Sequence, residues 1–430
     1  IKPYGTWLRM VKIKDHITNI GKSPTLNINE TSARLESQGQ TIYKFGFGQS
    51  PFPVPVKVVD ELKNYAAEKS YLPVEGLYDL REVVAHYYCS KGEISVSPDN
   101  VLIGPGSKEL MFILQMVLDC TTIIPSPSWV SYEPQSIILK QNYSFLDTSY
   151  DSSWKINSDQ LEKKCSEIEG LKLLILNYPG NPTGLSYSGS ELQAIANVCK
   201  KNNTLILSDE IYSRLHHKNH HRSISKYFPE GTIITSGLSK WCGAGGWRLG
   251  TMVMPKNLQS VQSSIATVSS ETFSCVSSPI QYAAIAAFQN DNLINDYLFH
   301  SRRILSAIGF YCYKILSDAG VKVHEPEGGF YLFPDFSNYG DSIKSKGINT
   351  SEQLCGRLLK DTGVALLPGS AFGRPEDEFT ARLAYVNFDG NKALSISKAI
   401  ASNDHLNIDD LGKTTEFLRS GINSLVNWLK

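Results

Sequence analysis

The chain carries the stretch SGLSKWCGAGGWRLG at residues 236–250, which places an arginine eight positions after a lysine. The lysine, Lys240, closely follows the apolar run at 231–235, which predicts a strand. A lysine amine can form a Schiff base with an aldehyde, and the guanidinium of Arg248 can bind a phosphate through two parallel hydrogen bonds. The stretch therefore suits a phosphorylated aldehyde, although a lysine in a glycine-rich turn is more commonly a solvated surface charge.

Composition limits the partners of the chain. Its 430 residues are too many for one compact core and indicate about two domains. Basic and acidic residues number 42 each, so no extended basic field is available for nucleic acid or an acidic membrane. The sequence contains no run of eighteen apolar residues, so no membrane span is predicted. We therefore expect small-molecule substrates and neither a nucleic-acid nor a membrane partner.

The eight cysteines are scattered and form no Cys-x-x-Cys pair. This pattern argues against structural zinc and for a reducing compartment, so we expect a cytoplasmic protein with no metal. The first residues lack the apolar core of a signal peptide, but Ile1 in place of Met leaves an upstream organelle presequence open.

The middle of the chain alternates short apolar runs with helical patterns. Strands are predicted at 101–103, 121–124, 171–176, 204–207, 231–235 and 249–254, and helices at 108–118, 190–201 and 279–288. Near-continuous apolar strands that alternate with helices are typical of a parallel, doubly wound α/β sheet. Ligands bind such sheets at the carboxyl ends of the strands.

The two flanks differ from the middle. After residue 300 the pattern predicts a helix at 302–319, a second at 352–362, and strands at 321–323, 329–333 and 381–388. Residues 46–53 form a turn-rich segment. We therefore predict a large domain at 56–300 and a smaller α+β domain built from both chain ends, 1–55 and 301–430.

Five further groups of residues are placed by this pattern at the ligand-binding edge. Gly106, Ser107 and Lys108 open a helix whose free backbone N–H groups can hold phosphate. Trp129 can stack on a flat ring, although a large aromatic is more often part of the core. Asp209, with Tyr212 three residues on, ends a strand, and a carboxylate buried there needs a cation such as a protonated pyridine nitrogen.

The other two groups can bind oxygen atoms of a ligand. Asn181 begins an Asn-Pro-Thr-Gly turn, and its amide can donate to an oxygen or simply form an Asx turn. Arg382 starts an apolar strand and suits two-point capture of a carboxylate, or else an ion pair within the protein.

Together these motifs resemble the class I/II aminotransferases of the fold-type-I pyridoxal phosphate enzymes. In that family an Asn-Pro-x-Gly turn precedes an Asp-x-x-Tyr strand end by 28 residues, as Asn181 and Asp209 do here, and the Schiff-base lysine precedes an arginine by eight. The similarity runs from about Tyr43 to Asp389. It includes the segments 71–77, 80–81, 327–331 and 368–373.

The resemblance implies an aminotransferase that uses pyridoxal 5′-phosphate by a ping-pong mechanism through a Lys240 aldimine. It implies Asp209 at the pyridine nitrogen, Tyr212 and Asn181 at the phenolic oxygen, and Trp129 stacked on the ring. The phosphate would be held by Gly106, Ser107, Lys108, Ser239 and Arg248, joined by Tyr71 from a partner subunit, so a homodimer is expected. Arg382 would bind the α-carboxylate of the substrate, with Gly48 and Asn181 nearby. One departure is Gly237, where many relatives carry a serine, and Ser236 is the candidate replacement.

The substrate is less constrained. In some bacterial-type relatives the lysine at the position of Lys108 reaches the distal carboxylate of an acidic substrate. Aspartate and glutamate are therefore the first expectation, with aromatic, alanine and branched-chain donors left open. The side-chain pocket is expected from the partner subunit near residues 271–276.

Three alternative functions differ in how well these residues fit them. A different pyridoxal phosphate reaction, such as β-elimination from a cysteine conjugate or decarboxylation, shares nearly all these residues. A ligand-sensing regulator would need a basic DNA-binding domain. A nicotinamide enzyme would need Gly-x-Gly-x-x-Gly, which residues 243–248 do not match. The histidine-rich residues 216–221 are interpreted as a solvent loop rather than a metal site.

Overall fold

The computed structural model describes residues 12–18, 20, 24–92, 94–289 and 291–430. Its strands are β1 Tyr43–Lys44, β2 Val101–Gly104, β3 Thr121–Ser126, β4 Tyr143–Asp147, β5 Lys172–Asn177, β6 Thr204–Asp209, β7 Thr232–Gly237, β8 Gly250–Val253, β9 Tyr331–Leu332, β10 Val364–Ala365, β11 Leu367–Pro368 and β12 Ala381–Ala384. Its α-helices are α1 Asp15–Thr18, α2 Pro24–Ser37, α3 Val56–Asn64, α4 Tyr78–Ser90, α5 Ser107–Val117, α6 Tyr132–Leu139, α7 Ser158–Ser166, α8 Gly189–Lys201, α9 Gln259–Ser270, α10 Ser278–Phe288, α11 Asn292–Asp318, α12 Gly340–Ser345, α13 Ser351–Thr362, α14 Gly390–Ala399 and α15 Glu416–Leu429. Short 3-10 helices cover Pro98–Asn100, Ser213–Leu215, Ile224–Lys226, Pro229–Gly231, Gly245–Trp247, Lys256–Leu258, Ser337–Tyr339, Gly369–Phe372 and Ile408–Thr415.

The largest sheet has seven strands in the order β2-β8-β7-β6-β5-β3-β4. Strand β8 is antiparallel to both of its neighbours, and the pairs from β7 to β4 are parallel. Order and direction confirm the predicted α/β class with a mostly parallel, doubly wound sheet. All six predicted central strands lie in it.

Alternate residues of the central strand β5 enter different parts of the core. Leu174 and Leu176 pack in one apolar cluster with Leu192 of α8. Leu173 and Ile175 pack in another with Leu110 of α5. Because side chains alternate across a strand, helices cover both faces of this sheet. The near-continuous apolar pattern of the sequence reflects this two-sided burial.

Two small sheets involve the flanks of the chain. Strand β1 pairs in parallel with β10, which joins a segment near the chain start to one near its end. Strands β11, β12 and β9 form an antiparallel sheet. The helix α11 runs without interruption through residue 300, where we placed a boundary. The division into 56–300 and the two flanks therefore stays a prediction, and its residues 1–11, 19, 21–23, 93 and 290 lie outside the described part.

Some predicted elements differ from the observed ones. Strand β4 was not predicted, because it lies at the edge of the sheet and most of its residues are only partly buried. Residues 321–323 make only an isolated bridge from Lys322 to Asp335, and the strand predicted at 381–388 ends at Ala384. Helix α11 begins ten residues before the predicted start at 302, where Asp291 caps it through the amide of Leu293.

Two further features concern the environment of the protein. Among the residues described, no helix is both long and apolar enough to cross a bilayer. All eight cysteines fall within the described ranges and are free thiols.

Three glycines face each other across neighbouring strands at one end of the sheet. Gly250 of β8 pairs with Gly104 of β2 on one side and with Gly237 of β7 on the other. A Cβ atom on Gly250 would lie 2.2 Å from the backbone nitrogen of Ser107. The absence of side chains here lets the start of α5 approach the turn that carries Lys240.

We predict that Gly250→Ala destabilises the protein by at least about 1–3 kcal/mol, because the added methyl group meets backbone that cannot rotate away. Denaturant unfolding of the cofactor-free protein measures this. Gly246→Ala is the matched control, since no atom lies within 4 Å of a Cβ built there. Equal unfolding midpoints for the two variants would contradict the close approach.

Candidate active site

An anion-binding corner forms where α5 begins. Gly106 has a φ of 96°, and a Cβ there would lie 2.2 Å from Nη2 of Arg248. The guanidinium donates to the carbonyls of Pro105 and Gly245 at 3.2 and 2.9 Å. Partial burial, together with the positive charges of Arg248 and Lys240, lowers the pKa of Lys108. Three cations and a helix N-terminus that converge on one corner fit a phosphate group.

A buried carboxylate lies at the carboxyl end of β6. Asp209 is only 3% exposed, and the hydroxyl of Tyr132 donates to its Oδ2 at 2.7 Å. Burial raises the pKa of Asp209 to about 6, although hydrogen bonds from Tyr132 and from the amide of Ile211 act in the opposite direction. Such a group gains most from a cationic partner, which fits a protonated pyridine nitrogen.

The neighbouring carboxylate, Glu210, is stabilised by the protein itself. Ser208, Ser223 and His221 make hydrogen bonds with it at 2.9, 2.5 and 3.0 Å. Burial opposes ionisation, but His221 and the two hydroxyls lower the pKa of Glu210. Adjacent residues on one strand are therefore held in different environments.

The solvent-loop interpretation of residues 216–221 is wrong for three of the four histidines. His216 is 7% exposed and the side chain of His221 is 3% exposed. The ring of His217 contacts the carbonyls of Pro326 and Gly329 at 3.1 and 3.3 Å. The rings of His221 and His217 bond to a buried carboxylate and to backbone oxygens, which a pattern of polar residues does not reveal. No cluster that could hold a metal ion occurs in the part of the chain that the structure describes.

Lys240 lies between the anion-binding corner and the predicted substrate side. Its Nζ donates to the carbonyl of Gly48 at 2.8 Å and lies 5.8 Å from the ring centre of Tyr212. Its charge acts on both Asp209 and Lys108. The amine is thus close to the groups that sequence analysis assigned to the cofactor.

Arg382 is buried and fixed on several sides. It donates to Oδ1 of Asn181 at 3.0 Å and to the carbonyl of Gly46 at 2.5 Å. Its Cζ lies 4.6 Å from the ring centre of Tyr331. The Nε atom is buried without a hydrogen-bond partner among the described residues. A fixed guanidinium with an unused N–H is suited to a carboxylate.

Trp129 lies over the start of this site. Its ring meets Tyr132 edge to face with centroids 5.3 Å apart, and Nζ of Lys108 lies 4.9 Å from its centre. A cavity of about 40 Å³ is lined by Trp129, Tyr132 and Asn181, among others. The indole is therefore placed near the carboxylate and the amide expected to contact a ring.

Two predicted contacts are not formed within one chain. Tyr71 is 90% exposed in one chain, and its predicted contact is with the phosphate of a partner subunit. The hydroxyl of Ser236 donates to the carbonyl of Glu210 at 3.5 Å, so it is already engaged. A Cβ on Gly237 would lie 2.6 Å from the carbonyl of Leu249, so a serine there would displace β8. Ser239 lies in the turn beside Lys240, within the stretch between β7 and β8.

Two residues of the site could not be predicted from the sequence. Tyr132 begins α6 three positions after Trp129, but nothing in the sequence indicated that its hydroxyl reaches Asp209. Tyr331 lies 119 positions from Tyr212, and their hydroxyl oxygens are 2.9 Å apart. The segment 327–331 around Tyr331 was recognised in the sequence, but the contact of Tyr331 with Tyr212 could not be predicted from it.

Comparisons with known proteins agree with this geometry. The family model of aminotransferase class I and II matches residues 39–386. The aspartate aminotransferase of Thermotoga maritima is 31% identical over 376 residues, which cover 84% of this chain and 92% of that protein. The asparagine–oxo-acid transaminase of Streptococcus mutans is 32% identical over 398 residues, covering 87% and 95%. A crystal structure of an aspartate aminotransferase from Thermotoga maritima has a TM-score of 0.79 at 26% identity and covers 97% of this chain and 100% of that one.

The chain therefore belongs to the class I and II aminotransferases. It is a pyridoxal 5′-phosphate-dependent transferase that moves an amino group from an amino acid to a 2-oxo acid. This confirms the family, the fold class, the cofactor and the type of reaction predicted from the sequence. The nicotinamide-enzyme and regulator alternatives are left without support.

The raised pKa of Asp209 predicts that Asp209→Asn stabilises the cofactor-free protein at neutral pH. The folded-state pKa of about 6 exceeds the ordinary aspartate value. The wild type therefore loses stability as pH rises from about 4 to above 6, by up to about 3 kcal/mol. Asparagine does not ionise, so the variant escapes this loss. Denaturant unfolding of both proteins at pH 8 and pH 4 tests this. The variant should have the larger free energy of unfolding at pH 8, and the difference should vanish at pH 4. A variant no more stable than wild type at pH 8 contradicts the assignment.

Proposed function

We propose that the residues at this sheet edge form the aminotransferase active site, with Lys240 as the residue that attaches the cofactor and transfers the proton. The observation that carries the proposal is the position of the Lys240 amine. It acts electrostatically on the buried Asp209 and on Lys108, and it donates to Gly48, two residues from the carbonyl that accepts from Arg382.

The cofactor would be held by two sets of residues. Gly106, Ser107, Ser239 and Arg248 would surround the phosphate, with Lys108 beside them, and Trp129, Asp209, Tyr212 and Asn181 would contact the ring. The cradle at Gly106 and the buried carboxylate support these roles. When bound, the cofactor supplies an aldehyde and a ring that accepts the electron pair left on the substrate Cα.

The remaining chemistry belongs to the protein. Arg382 binds the α-carboxylate and thereby orients the Cα–H bond towards the Lys240 amine. Lys240, once free, removes that proton and later returns it. Asp209, when ionised, would stabilise a protonated ring nitrogen of the bound cofactor. Because the first product leaves before the second substrate enters, we expect ping-pong kinetics.

We predict that Lys240→Ala abolishes turnover and covalent retention of the cofactor. The wild type, incubated with pyridoxal phosphate and reduced with borohydride, should carry the label on the peptide that contains Lys240, as mass spectrometry would reveal. Lys256→Ala, at an exposed lysine, is the control and should be labelled like wild type. A label on any other lysine of the wild type would overturn the role of Lys240.

We further propose that the amino donor is acidic, with aspartate and glutamate first. Several relatives carry the name aspartate aminotransferase, and a lysine at position 108 offers a cation for a second carboxylate. Its Nζ lies over Trp129, next to the cofactor corner. The alternative is that Lys108 serves the phosphate.

Lys108→Met separates these roles. If the lysine binds the distal carboxylate, KM for aspartate rises by about 10- to 100-fold while KM for alanine is unchanged, because one charged hydrogen bond is lost. Steady-state kinetics with both donors measures this. A weaker affinity for pyridoxal phosphate, with the ratio of the two KM values unchanged, would assign Lys108 to the phosphate and contradict the proposed specificity.

We also propose a cytoplasmic homodimer. Tyr71 is a large aromatic side chain that is 90% exposed in one chain, which suits a contact with the phosphate of the partner subunit. Residues 271–276 would contribute to the side-chain pocket of that partner. The free thiols favour a reducing compartment.

A further inference from the structure

Tyr331 is a buried side chain that links the two halves of the proposed site. It lies on β9, is 1% exposed, and its hydroxyl oxygen is 2.9 Å from that of Tyr212. A Cβ on Gly48 would lie 2.0 Å from this hydroxyl, so the bare backbone of Gly48 leaves it room. The hydroxyl group is therefore enclosed and directed at Tyr212.

The ring of Tyr331 has a second contact. The guanidinium carbon of Arg382 lies 4.6 Å from its centre, within the range of a cation–π interaction. The pairing of the two strands keeps these residues close, because Tyr331 pairs with Ala384 on β12, the strand that also carries Arg382. One side chain thus contacts both the phenol assigned to the cofactor and the arginine assigned to the substrate.

We infer that Tyr331 is a positioning residue. Its hydroxyl strengthens the hydrogen bond that Tyr212 donates to the cofactor, and its ring holds Arg382 in place for the α-carboxylate. The inference rests on the proposed function of Tyr212 and Arg382. It assigns separate tasks to two parts of one side chain, so substitutions can remove them one at a time.

The direction of the hydroxyl contact follows from the roles. If Tyr212 donates its proton to the phenolic oxygen of the cofactor, its own oxygen is free to accept from Tyr331. Accepting a hydrogen bond makes the Tyr212 hydroxyl a stronger donor. A strong donor stabilises the anionic phenolic oxygen, which then holds the neighbouring imine proton less tightly. Loss of the Tyr331 hydroxyl therefore raises the pH at which the bound cofactor loses that proton.

The test is Tyr331→Phe, which removes the hydroxyl and keeps the ring. In the holoenzyme, the pH at the midpoint of the change in visible absorbance of the bound cofactor should rise by about 0.5 unit. The affinity for maleate, an unreactive dicarboxylate, should stay at the wild-type value. The control is Tyr87→Phe, at a tyrosine whose buried hydroxyl has no hydrogen-bond partner within the described ranges. A midpoint in Tyr331→Phe equal to that of wild type overturns the tuning role.

Tyr331→Leu removes the ring as well. Its affinity for maleate should fall by about tenfold, in addition to the shifted midpoint, because Arg382 loses the ring of Tyr331, which is nearer to it than that of Phe372. Unchanged maleate affinity in this variant, confirmed as folded by its unfolding curve, overturns the role of the ring.

A double-mutant cycle keeps these outcomes separate from the proposed function. In a Tyr212→Phe background, Tyr331→Phe should shift the midpoint no further, because the intermediate hydroxyl is missing. An equal further shift contradicts the route through Tyr212. Failure of the proposed function would be seen differently, as a wild-type protein whose bound pyridoxal phosphate keeps the absorbance of the free aldehyde and forms no imine.

Discussion

A carboxylate buried at the end of a central strand is the constraint on which the site depends. Asp209 ends β6, a strand covered on both faces, so water cannot solvate its charge. The protein supplies it with a hydroxyl from Tyr132 and a backbone amide, which do not compensate for burial. Glu210, one residue on, receives two hydroxyls and an imidazole. The protein satisfies Glu210 with its own groups, whereas burial still raises the pKa of Asp209, which supports the proposal that a cationic ring lies against it.

The rest of the site is assembled around this charge from distant segments. The glycines of β2, β8 and β7 bring the anion-binding corner next to Lys240. The segment before α3 contributes the carbonyls of Gly46 and Gly48, and β12 contributes Arg382. The residues proposed to bind substrate and cofactor therefore meet where the large sheet contacts both flanks of the chain. A change in the packing of either flank would move Arg382 relative to Lys240.

Much of this arrangement could be predicted from the sequence. Continuous apolar runs such as 171–176 indicated buried parallel strands, and motif spacing placed Asn181, Asp209, Lys240 and Arg248 at one edge. Prediction failed where long-range contacts decide the outcome. Strand β4 lacks the apolar pattern because it is an edge strand. The histidines at 216–221 look solvent-exposed until Glu210 is seen beside them, and the contacts of Tyr132 and Tyr331 depend on tertiary structure.

The central claim is that Asp209 is kept for a cationic ring nitrogen. The most direct measurement compares the affinity of the cofactor-free protein for pyridoxal phosphate and for its carbocyclic analogue, in which carbon replaces the ring nitrogen. Since a charged hydrogen bond in a buried site contributes about 1.5–3 kcal/mol, the account predicts binding of the true cofactor about 10- to 100-fold tighter. Equal affinity for the two compounds would contradict it.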